Sequence, residues 1–193
     1  MSAQDDLVTL ADTRTPQGIL AVCRTIDRPL DDALRSTPTL VVCCAQVRDP
    51  GNAGTVIRCA DALGASSVIL TEGSVDAYHS KTVRSSAGSL FHLPIALDVP
   101  VDEAVGAARA CGLQVLAADA DGPVNLVELT ASGGLARPTL WMFGNEAWGL
   151  PAGHAALADE VVRVPIYGGA ESLNLGAAAA ICLYATSTAQ RAA

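Results

Sequence analysis

Three short segments of the chain carry polar side chains that packing alone does not explain. They read RDPGNAGTVIR at 48–58, FGNEAWGL at 143–150 and PIYGGAESLN at 165–174. Amide, hydroxyl, carboxylate and guanidinium groups beside glycines can hydrogen-bond a ligand, hold an anion, or stabilise charge that develops during a reaction. These segments therefore hold the candidate chemistry of the chain.

Arg58 is the least expected residue of the first segment. It falls in the second turn of a predicted helix over 53–63, among Ala, Val, Ile and Cys. An arginine buried in such a helix needs an anionic or hydrogen-bonding partner, because an unpaired buried charge is costly. We therefore expect Arg58 to face a specific partner. Asn52, which precedes this helix, can serve either a ligand or the helix as its N-cap.

The second and third segments each follow a predicted strand. Glu146 stands beside glycines in the second, where a plain turn needs no carboxylate. Trp148 in the same loop is expected to pack or to lie at a rim rather than to stack a ligand. In the third segment, Ser172 or Asn174 can cap the helix that follows, whose free N–H groups also favour an anion.

The elements that would position these loops alternate between strands and helices. Apolar runs predict strands at 18–23, 39–45, 67–71, 93–97, 113–118, 138–143 and 161–165. Helices are predicted at 53–63, 83–88, 102–110 and 173–189. This order predicts one α/β domain, with a mostly parallel sheet and helices on both faces. Ligands of such sheets bind beyond the carboxyl ends of the strands, where the three segments lie.

Composition and motifs exclude several classes of protein. The 193 residues are 50% hydrophobic and 17% charged, which excludes a disordered chain. No apolar run is long enough to span a membrane, and the acidic N-terminus does not resemble a signal peptide, so we expect a cytoplasmic protein. Dinucleotide, nucleoside-triphosphate and hydrolase motifs are absent. The six cysteines and three histidines lack metal-ligand spacing, so we expect buried free thiols and no metal.

Taken in order, the three segments resemble the signature motifs of the SpoU–TrmH family of ribose 2′-O-methyltransferases, within the SPOUT superfamily. DPGNAGTVIRCADALGA resembles the first motif, FGNEAWGL the second, and VPIYGGAESLNLGAAAAICLYA the third. KTVRSSAGSLFHLP resembles the segment between the first and second motifs. The resemblance covers about residues 16–186. It implies an α/β fold with a C-terminal deep trefoil knot, a homodimer, and S-adenosylmethionine as a cofactor that needs no metal.

The resemblance also implies a role for individual residues. The catalytic positions would be Asn52, Arg58, Glu146, Ser172 and Asn174. The cofactor-binding positions would be Ala118, Phe143, Gly144, Asn145, Glu146, Ile166, Ser172, Leu173 and Asn174. Arg58 would accept the proton of the ribose hydroxyl or stabilise the forming alkoxide. Asn52 and Ser172 would position the nucleotide, while Glu146 and Asn174 would hold the loops and Arg58 in register.

An rRNA or tRNA substrate requires positive charge near the site, although the net charge of the chain is −8. A local basic rim is expected from Arg48, Lys81, Arg84 and Arg163, together with Asn52. Residues 1–15 are expected to be a flexible N-terminus and 16–193 the methyltransferase domain, with no separate N-terminal RNA-binding domain.

The sequence leaves three functions open. The first is methylation of a ribose 2′-hydroxyl of RNA. The second is the same chemistry on a hydroxyl of a small molecule, which the acidic charge favours. The third is a non-catalytic binding protein that keeps only the knotted fold. One departure from the family pattern bears on all three: Ala147 stands where the family usually has a glycine.

Overall fold

The computed structural model describes residues 10–11, 18–35 and 37–192. The predicted flexible N-terminus, residues 1–15, lies almost entirely outside these ranges. Within them, no helix combines the length and apolar character that crossing a membrane would require.

Strands and helices alternate along the described chain. The strands are β1 (Leu40–Cys44), β2 (Ser67–Thr71), β3 (Ile95–Val99), β4 (Gln114–Ala118), β5 (Val124–Asn125), β6 (Thr139–Phe143) and β7 (Glu160–Arg163). The α-helices are α1 (Leu30–Ala33), α2 (Pro50–Ala62), α3 (Ser80–Ser86), α4 (Val101–Ala110), α5 (Leu126–Ala131), α6 (Ala152–Ala155) and α7 (Leu175–Ala192). Short 3₁₀ turns lie at Ser89–Phe91 and Gly134–Ala136.

The strands form one sheet in the order β3-β2-β1-β6-β4-β7-β5. Every pairing between these strands is parallel. The central strands β1 and β6 are buried along their whole length, as expected where helices cover both faces of a parallel sheet. The predicted fold class, an α/β domain with a mostly parallel sheet, is confirmed.

Two hydrophobic cores lie on opposite faces of the sheet. Leu40 and Val42 of β1 face the core that α2 and α7 cover, whereas Val41 and Cys43 face the core that α4 covers. Successive residues of a strand point to opposite faces, so each strand supplies both cores. This arrangement fixes the helices on either side of the sheet and leaves the carboxyl ends of the strands for the loops.

The cysteines only partly match the expectation of buried thiols. Burial raises the pKa of Cys43 and of Cys182 to about 12, and it also raises the pKa of Cys44, so these thiols stay protonated at neutral pH. Cys23 and Cys111 are exposed, and for these two the expectation is wrong. All six cysteines are free thiols.

One predicted strand does not form. Residues 18–23 have strand-like composition, but they pair with no other strand, and Ile19 and Val22 are 84% and 98% exposed. A strand is stabilised by its neighbours in a sheet more than by its own residues, and this segment has no such neighbour among the described residues.

Helix α3 begins three residues earlier than predicted because of a cap that its apolar pattern does not reveal. The Nδ1 atom of His79 accepts a hydrogen bond from the backbone N–H of Lys81 at 3.1 Å. Strand β3 begins two residues later than predicted, after Pro94, whose missing N–H cannot join a strand ladder. The shortest elements, α1, α5, α6 and β5, span too few residues to show a period.

Hydrogen bonds at two positions along helix α7 attach it to the sheet. Near its C-terminus, the side-chain amide of Gln190 donates hydrogen bonds to the carbonyls of Thr39 and Arg137, at 2.8 and 2.9 Å. In its middle, Thr186 Oγ1 accepts a 2.8 Å hydrogen bond from the indole N–H of Trp141 in β6, and both residues are fully buried. The helix that follows the third polar segment therefore has a fixed position on β6.

Replacing Thr186 with valine should destabilise the protein by about 1–3 kcal/mol, because the buried indole N–H of Trp141 loses its acceptor while the volume is kept. The measurement is chemical denaturation of Thr186→Val against the native chain. Thr188, exposed on the same helix, supplies the matched control, and Thr188→Val should change stability by no more than about 0.5 kcal/mol. Equal stability of the two variants would contradict this role of the hydrogen bond.

Candidate active site

A cavity of about 570 Å³ lies beyond the carboxyl ends of β4, β6 and β7. Every residue that the sequence predicts for cofactor binding lines it: Ala118, Phe143, Gly144, Asn145, Glu146, Ile166, Ser172, Leu173 and Asn174. Asn52, from the start of α2, lines it as well. The structure therefore brings residues from all three polar segments to one place, as the parallel sheet predicts.

Glu146 joins the second segment to the first. Its Oε1 accepts hydrogen bonds from the backbone N–H of Asp49 and from the side-chain amide of Asn52, both at 3.2 Å. Its Oε2 accepts from the backbone N–H of Arg48 at 3.3 Å. One carboxylate thus fixes the loop after β1 against the loop after β6, and hydrogen bonds to a charged acceptor are stronger than neutral ones.

Asn174 joins the third segment to Asn52, and through it to Glu146. Its side-chain amide donates to Oδ1 of Asn52 at 3.0 Å, while its own Oδ1 accepts from the backbone N–H of Gly176 at 2.9 Å. The second bond caps α7, as predicted for this residue. A continuous chain of hydrogen bonds from Glu146 through Asn52 to Asn174 therefore connects the three segments.

Asn52 is not the N-cap of α2, so this one of its two expected roles is wrong. Asp49 is the N-cap, and its carboxylate accepts a 2.8 Å hydrogen bond from the backbone N–H of Asn52. Lys81 donates to the same carboxylate at 3.0 Å, and this contact, followed by the Asn52 N–H, lowers the pKa of Asp49. Because Asp49 satisfies the helix start, the side chain of Asn52 is left for the cavity.

The loop after β6 closes on itself directly beside the cavity. The backbones of Asn145 and Gly149 exchange two hydrogen bonds, of 2.9 and 2.8 Å, and the side chain of Asn145 donates to the carbonyl of Gln46 at 2.7 Å. A Cβ atom on Gly144 would lie 2.6 Å from the carbonyl oxygen of Gly149, so only glycine fits this turn. The departure at Ala147 is compatible with this loop, since its φ is not positive.

The charges that line the cavity are acidic. Asp119, Asp121 and Glu146 contribute carboxylates, and none of the lining residues is Lys, Arg or His. Asp119 is half-buried, and its Oδ1 accepts from the backbone N–H of Asp121 at 2.9 Å. Sequence reasoning missed Asp119, although it follows the carboxyl end of β4 just as the second segment follows β6. Such a cavity suits a ligand that carries positive charge.

Arg58 is the predicted catalytic residue that does not line the cavity. It is exposed in the third turn of α2, and it makes no ion pair with any other described residue. The expectation of a buried guanidinium is therefore wrong for the single chain. Because it is exposed, the guanidinium of Arg58 can hydrogen-bond to a substrate or to another protein chain.

The residues of the expected basic rim have different surroundings. Arg48 is exposed, with its guanidinium carbon 5.0 Å from the ring centroid of Trp148, and Lys81 pairs with Asp49. Arg84 is exposed on α3. Arg163 donates from Nη1 to the carbonyls of Gly122 and Pro123, at 2.8 and 2.7 Å, which ties β7 to the turn before β5.

Comparison with known proteins agrees with the motifs. The model of the SpoU rRNA Methylase family matches residues 39–184, well over half of the chain. The chain is 37% identical to the 23S rRNA (guanosine(2553)-2′-O)-methyltransferase of Bacillus subtilis over 187 residues, which cover 95% of this chain and 70% of that protein. It is also 37% identical to the 23S rRNA (uridine(2479)-2′-O)-methyltransferase of Streptomyces viridochromogenes, covering 94% of this chain and 64% of the relative.

A solved structure supports the family match and the two relatives. The AdoMet-bound rRNA methyltransferase of Sinorhizobium meliloti superposes with a TM-score of 0.72 at 36% identity, over 83% of this chain and 60% of that one. The chain thus spans between three fifths and seven tenths of the length of these relatives. On its sequence, its fold and the arrangement of its three polar segments, the chain belongs to the SpoU rRNA methylase family.

Proposed function

We propose that this protein transfers a methyl group from S-adenosylmethionine to a ribose 2′-hydroxyl of ribosomal RNA. The observation that carries the proposal is the chain of hydrogen bonds from Glu146 through Asn52 to Asn174, which unites the three motif segments around one cavity. A protein that kept the fold only for binding or support would have no need of this polar arrangement. The names of the relatives favour ribosomal RNA over a small molecule.

The cavity fits S-adenosylmethionine in size and in charge. Its volume of about 570 Å³ lies within the range of about 300–1,000 Å³ that is usual for sites of small molecules. The cofactor carries a sulfonium and an ammonium cation, and Asp119 and Glu146 supply the carboxylates that favour positive charge. Gly144 lines the cavity, and the absence of a Cβ atom there lets the backbone of Gly149 pack against it.

The proposed mechanism needs alignment more than it needs strong acids or bases. The cofactor, when bound, supplies an electrophilic methyl group on sulfur. Asn52 and Ser172 orient the target nucleotide at the edge of the cavity, so that its 2′-hydroxyl points along the line of displacement. Glu146 and Asn174 hold Asn52 in place through the hydrogen bonds described above.

Arg58 either accepts the proton of the 2′-hydroxyl, with help from a phosphate of the substrate, or stabilises the alkoxide as it forms. A guanidinium is already protonated at neutral pH, which favours the second role, and the proton of the hydroxyl then passes to a phosphate of the substrate. The residue is exposed and does not line the cavity of its own chain. It therefore acts on a ribose hydroxyl that the RNA brings to it, and a second copy of the chain could supply the cavity beside it.

Positive charge for the RNA lies around the cavity and not within it. The phosphate contacts come from Arg48, Lys81, Arg84 and Arg163. Arg163 uses Nη1 for its hydrogen bonds to two carbonyls, and its other guanidinium nitrogens contact the phosphate. The acidic interior then repels phosphates and reserves the cavity for the cofactor. A ribosomal RNA substrate would place this work in the cytoplasm.

A homodimer is part of the proposal. Helix α7 buries Cys182 and Leu183, but it leaves Ile181 and Tyr184 exposed, at 40% and 64%. The adjoining loop exposes 37% of Leu173 beside the cavity. A second copy of the chain would cover these side chains and lie close to the site.

Sedimentation velocity tests the dimer. We expect a particle of twice the 19.7 kDa mass of the chain. Tyr184→Glu should shift it to the monomer, because a charge would then be buried in the interface. A native particle of 19.7 kDa would contradict the dimer.

We also propose that residues 16–193 form a single methyltransferase domain in which α7 and the loop before it thread a deep trefoil knot. Two observations support the threading. The N-terminus of α7 contacts Asn52 at the carboxyl edge of the sheet, while Gln190 contacts Thr39 at the opposite edge. The loops on either side of β7 also meet the loop after β6 around one cavity.

Arg58→Ala should lower methyl transfer by about 100- to 1,000-fold, the usual loss when one group that stabilises a transition state is removed. Its affinity for S-adenosylmethionine should not change, since Arg58 does not line the cavity. Transfer of labelled methyl to 23S rRNA transcripts gives the first quantity, and calorimetric titration gives the second.

Arg35→Ala is the matched control, because Arg35 is also exposed, pairs with Asp32 of α1 and does not line the cavity. It should keep full activity. An active Arg58→Ala variant would overturn the mechanism. Label that enters small molecules of a cell extract, but no RNA, would move the substrate assignment to a small-molecule hydroxyl.

A further inference from the structure

The two tryptophans of the chain lie in opposite environments. Trp141 is fully buried in β6, where it stacks on Phe143 with ring centroids 6.0 Å apart. Trp148 is 50% exposed, and it lines the cavity beyond the carboxyl end of the same strand. A large aromatic ring that is left half in water at the edge of a ligand cavity is a candidate contact for that site.

Arg48 gives this ring a second feature. Its guanidinium carbon lies 5.0 Å from the centroid of the Trp148 ring, within the distance of a cation–π contact. Arg48 is itself exposed. The guanidinium of Arg48 therefore lies over one face of the Trp148 ring at the mouth of the cavity.

The pair is held in place by the hydrogen bonds that organise the site. Glu146, two residues before Trp148, accepts a hydrogen bond from the backbone N–H of Arg48 at 3.3 Å. The closed loop from Asn145 to Gly149 carries Trp148, and it is fixed to the neighbouring loop through the carbonyl of Gln46. The backbones that bear the two side chains are thus joined before any ligand binds.

We propose that Trp148 and Arg48 form the binding site for the target nucleotide of the RNA substrate. The base stacks on the face of the Trp148 indole opposite to Arg48, and the guanidinium of Arg48 binds an adjacent phosphate. Proteins recognise unpaired RNA bases by stacking them on aromatic rings and on guanidinium planes, because every base has an apolar face. This inference rests on the proposed function and adds a residue that selects an unstacked nucleotide.

A base could also come from the adenine of the cofactor. The charge of Arg48 favours the RNA, because every nucleotide of an RNA strand brings a phosphate, whereas the single anionic group of S-adenosylmethionine is its methionine carboxylate. The carboxylates of Asp119 and Glu146 line the cavity beside the ring, and they favour the cationic part of the cofactor there. Trp148 then forms the border between the cofactor and the nucleotide.

The fluorescence of Trp148 tests the stacking directly, because stacking by a base quenches an exposed indole and Trp141 is inaccessible. The probes are a single-stranded hexaribonucleotide and S-adenosylhomocysteine, each titrated alone at low salt. We expect saturable quenching by the oligonucleotide and none of it in Trp148→Phe. Quenching by S-adenosylhomocysteine with none by the oligonucleotide would assign the ring to the cofactor and overturn the proposal.

Kinetics on 23S rRNA transcripts supply a readout that a structural role would not produce. Trp148→Ala should raise the KM for RNA by roughly 5- to 150-fold, the loss expected for one stacked base, and Trp148→Phe should restore it to within about threefold. The affinity of both variants for S-adenosylmethionine, measured by calorimetric titration, should change less than the KM for RNA. A Trp148→Ala variant with native KM would overturn the proposal.

The contribution of Arg48 is visible in the salt dependence of oligonucleotide binding. Arg48→Gln should weaken binding and reduce the slope of log K against log salt by about 0.7, the value for one phosphate contact on a single strand. Arg35→Gln, on an exposed arginine outside the site, should leave the slope unchanged. Equal slopes in the native protein and Arg48→Gln would remove Arg48 from the site.

These results separate the inference from the proposed function. The fluorescence titration needs neither cofactor nor catalysis, so quenching by RNA supports the stacking even in a protein that transfers no methyl group. Methyl transfer that is normal in Trp148→Ala would leave the proposed function intact and reject the stacking.

Discussion

The site depends on one carboxylate. Glu146 accepts hydrogen bonds from two consecutive backbone N–H groups, those of Arg48 and Asp49, and from the side chain of Asn52. The loops that it joins follow β1 and β6, strands that are neighbours in the sheet although about 100 residues separate them in the chain. The side chain of Asn145 joins the same two loops through the carbonyl of Gln46, but Glu146 is the residue of the loop after β6 that bonds to Asn52 itself.

The rest of the site follows from that constraint. Asn52 can reach both Glu146 and Asn174 only because Asp49 caps α2 in its place. The helix that Asn174 begins is in turn held on β6 by Trp141 and Thr186. The same carboxylate adds negative charge to the cavity, so it both shapes the site and selects for a cationic ligand. Correspondingly, none of the described residues that line the cavity is basic.

The sequence predicts the parts of this protein in which a pattern repeats. Apolar runs locate the buried strands β1, β2, β4 and β6 to within two residues, and the order of motifs identifies Asn52 and the predicted cofactor-binding residues, all of which line the cavity. Predictions fail where one distant partner decides the outcome. Residues 18–23 have the composition of a strand but no adjacent strand, and Arg58 looks buried in its helix although that face of α2 is open. Asp119 was missed because no motif marks it.

The central claim is that the three segments, fastened by Glu146, form the binding site for S-adenosylmethionine. Calorimetric titration of the cofactor into the native protein and into Glu146→Gln tests it most directly. We predict one site per native chain and an affinity about tenfold weaker in Glu146→Gln, because the carboxamide replaces one acceptor oxygen by a donor and loses the charge. Glu128→Gln, on exposed α5, should bind as the native chain does. A folded native protein that binds no cofactor, or native affinity in Glu146→Gln, would contradict the account.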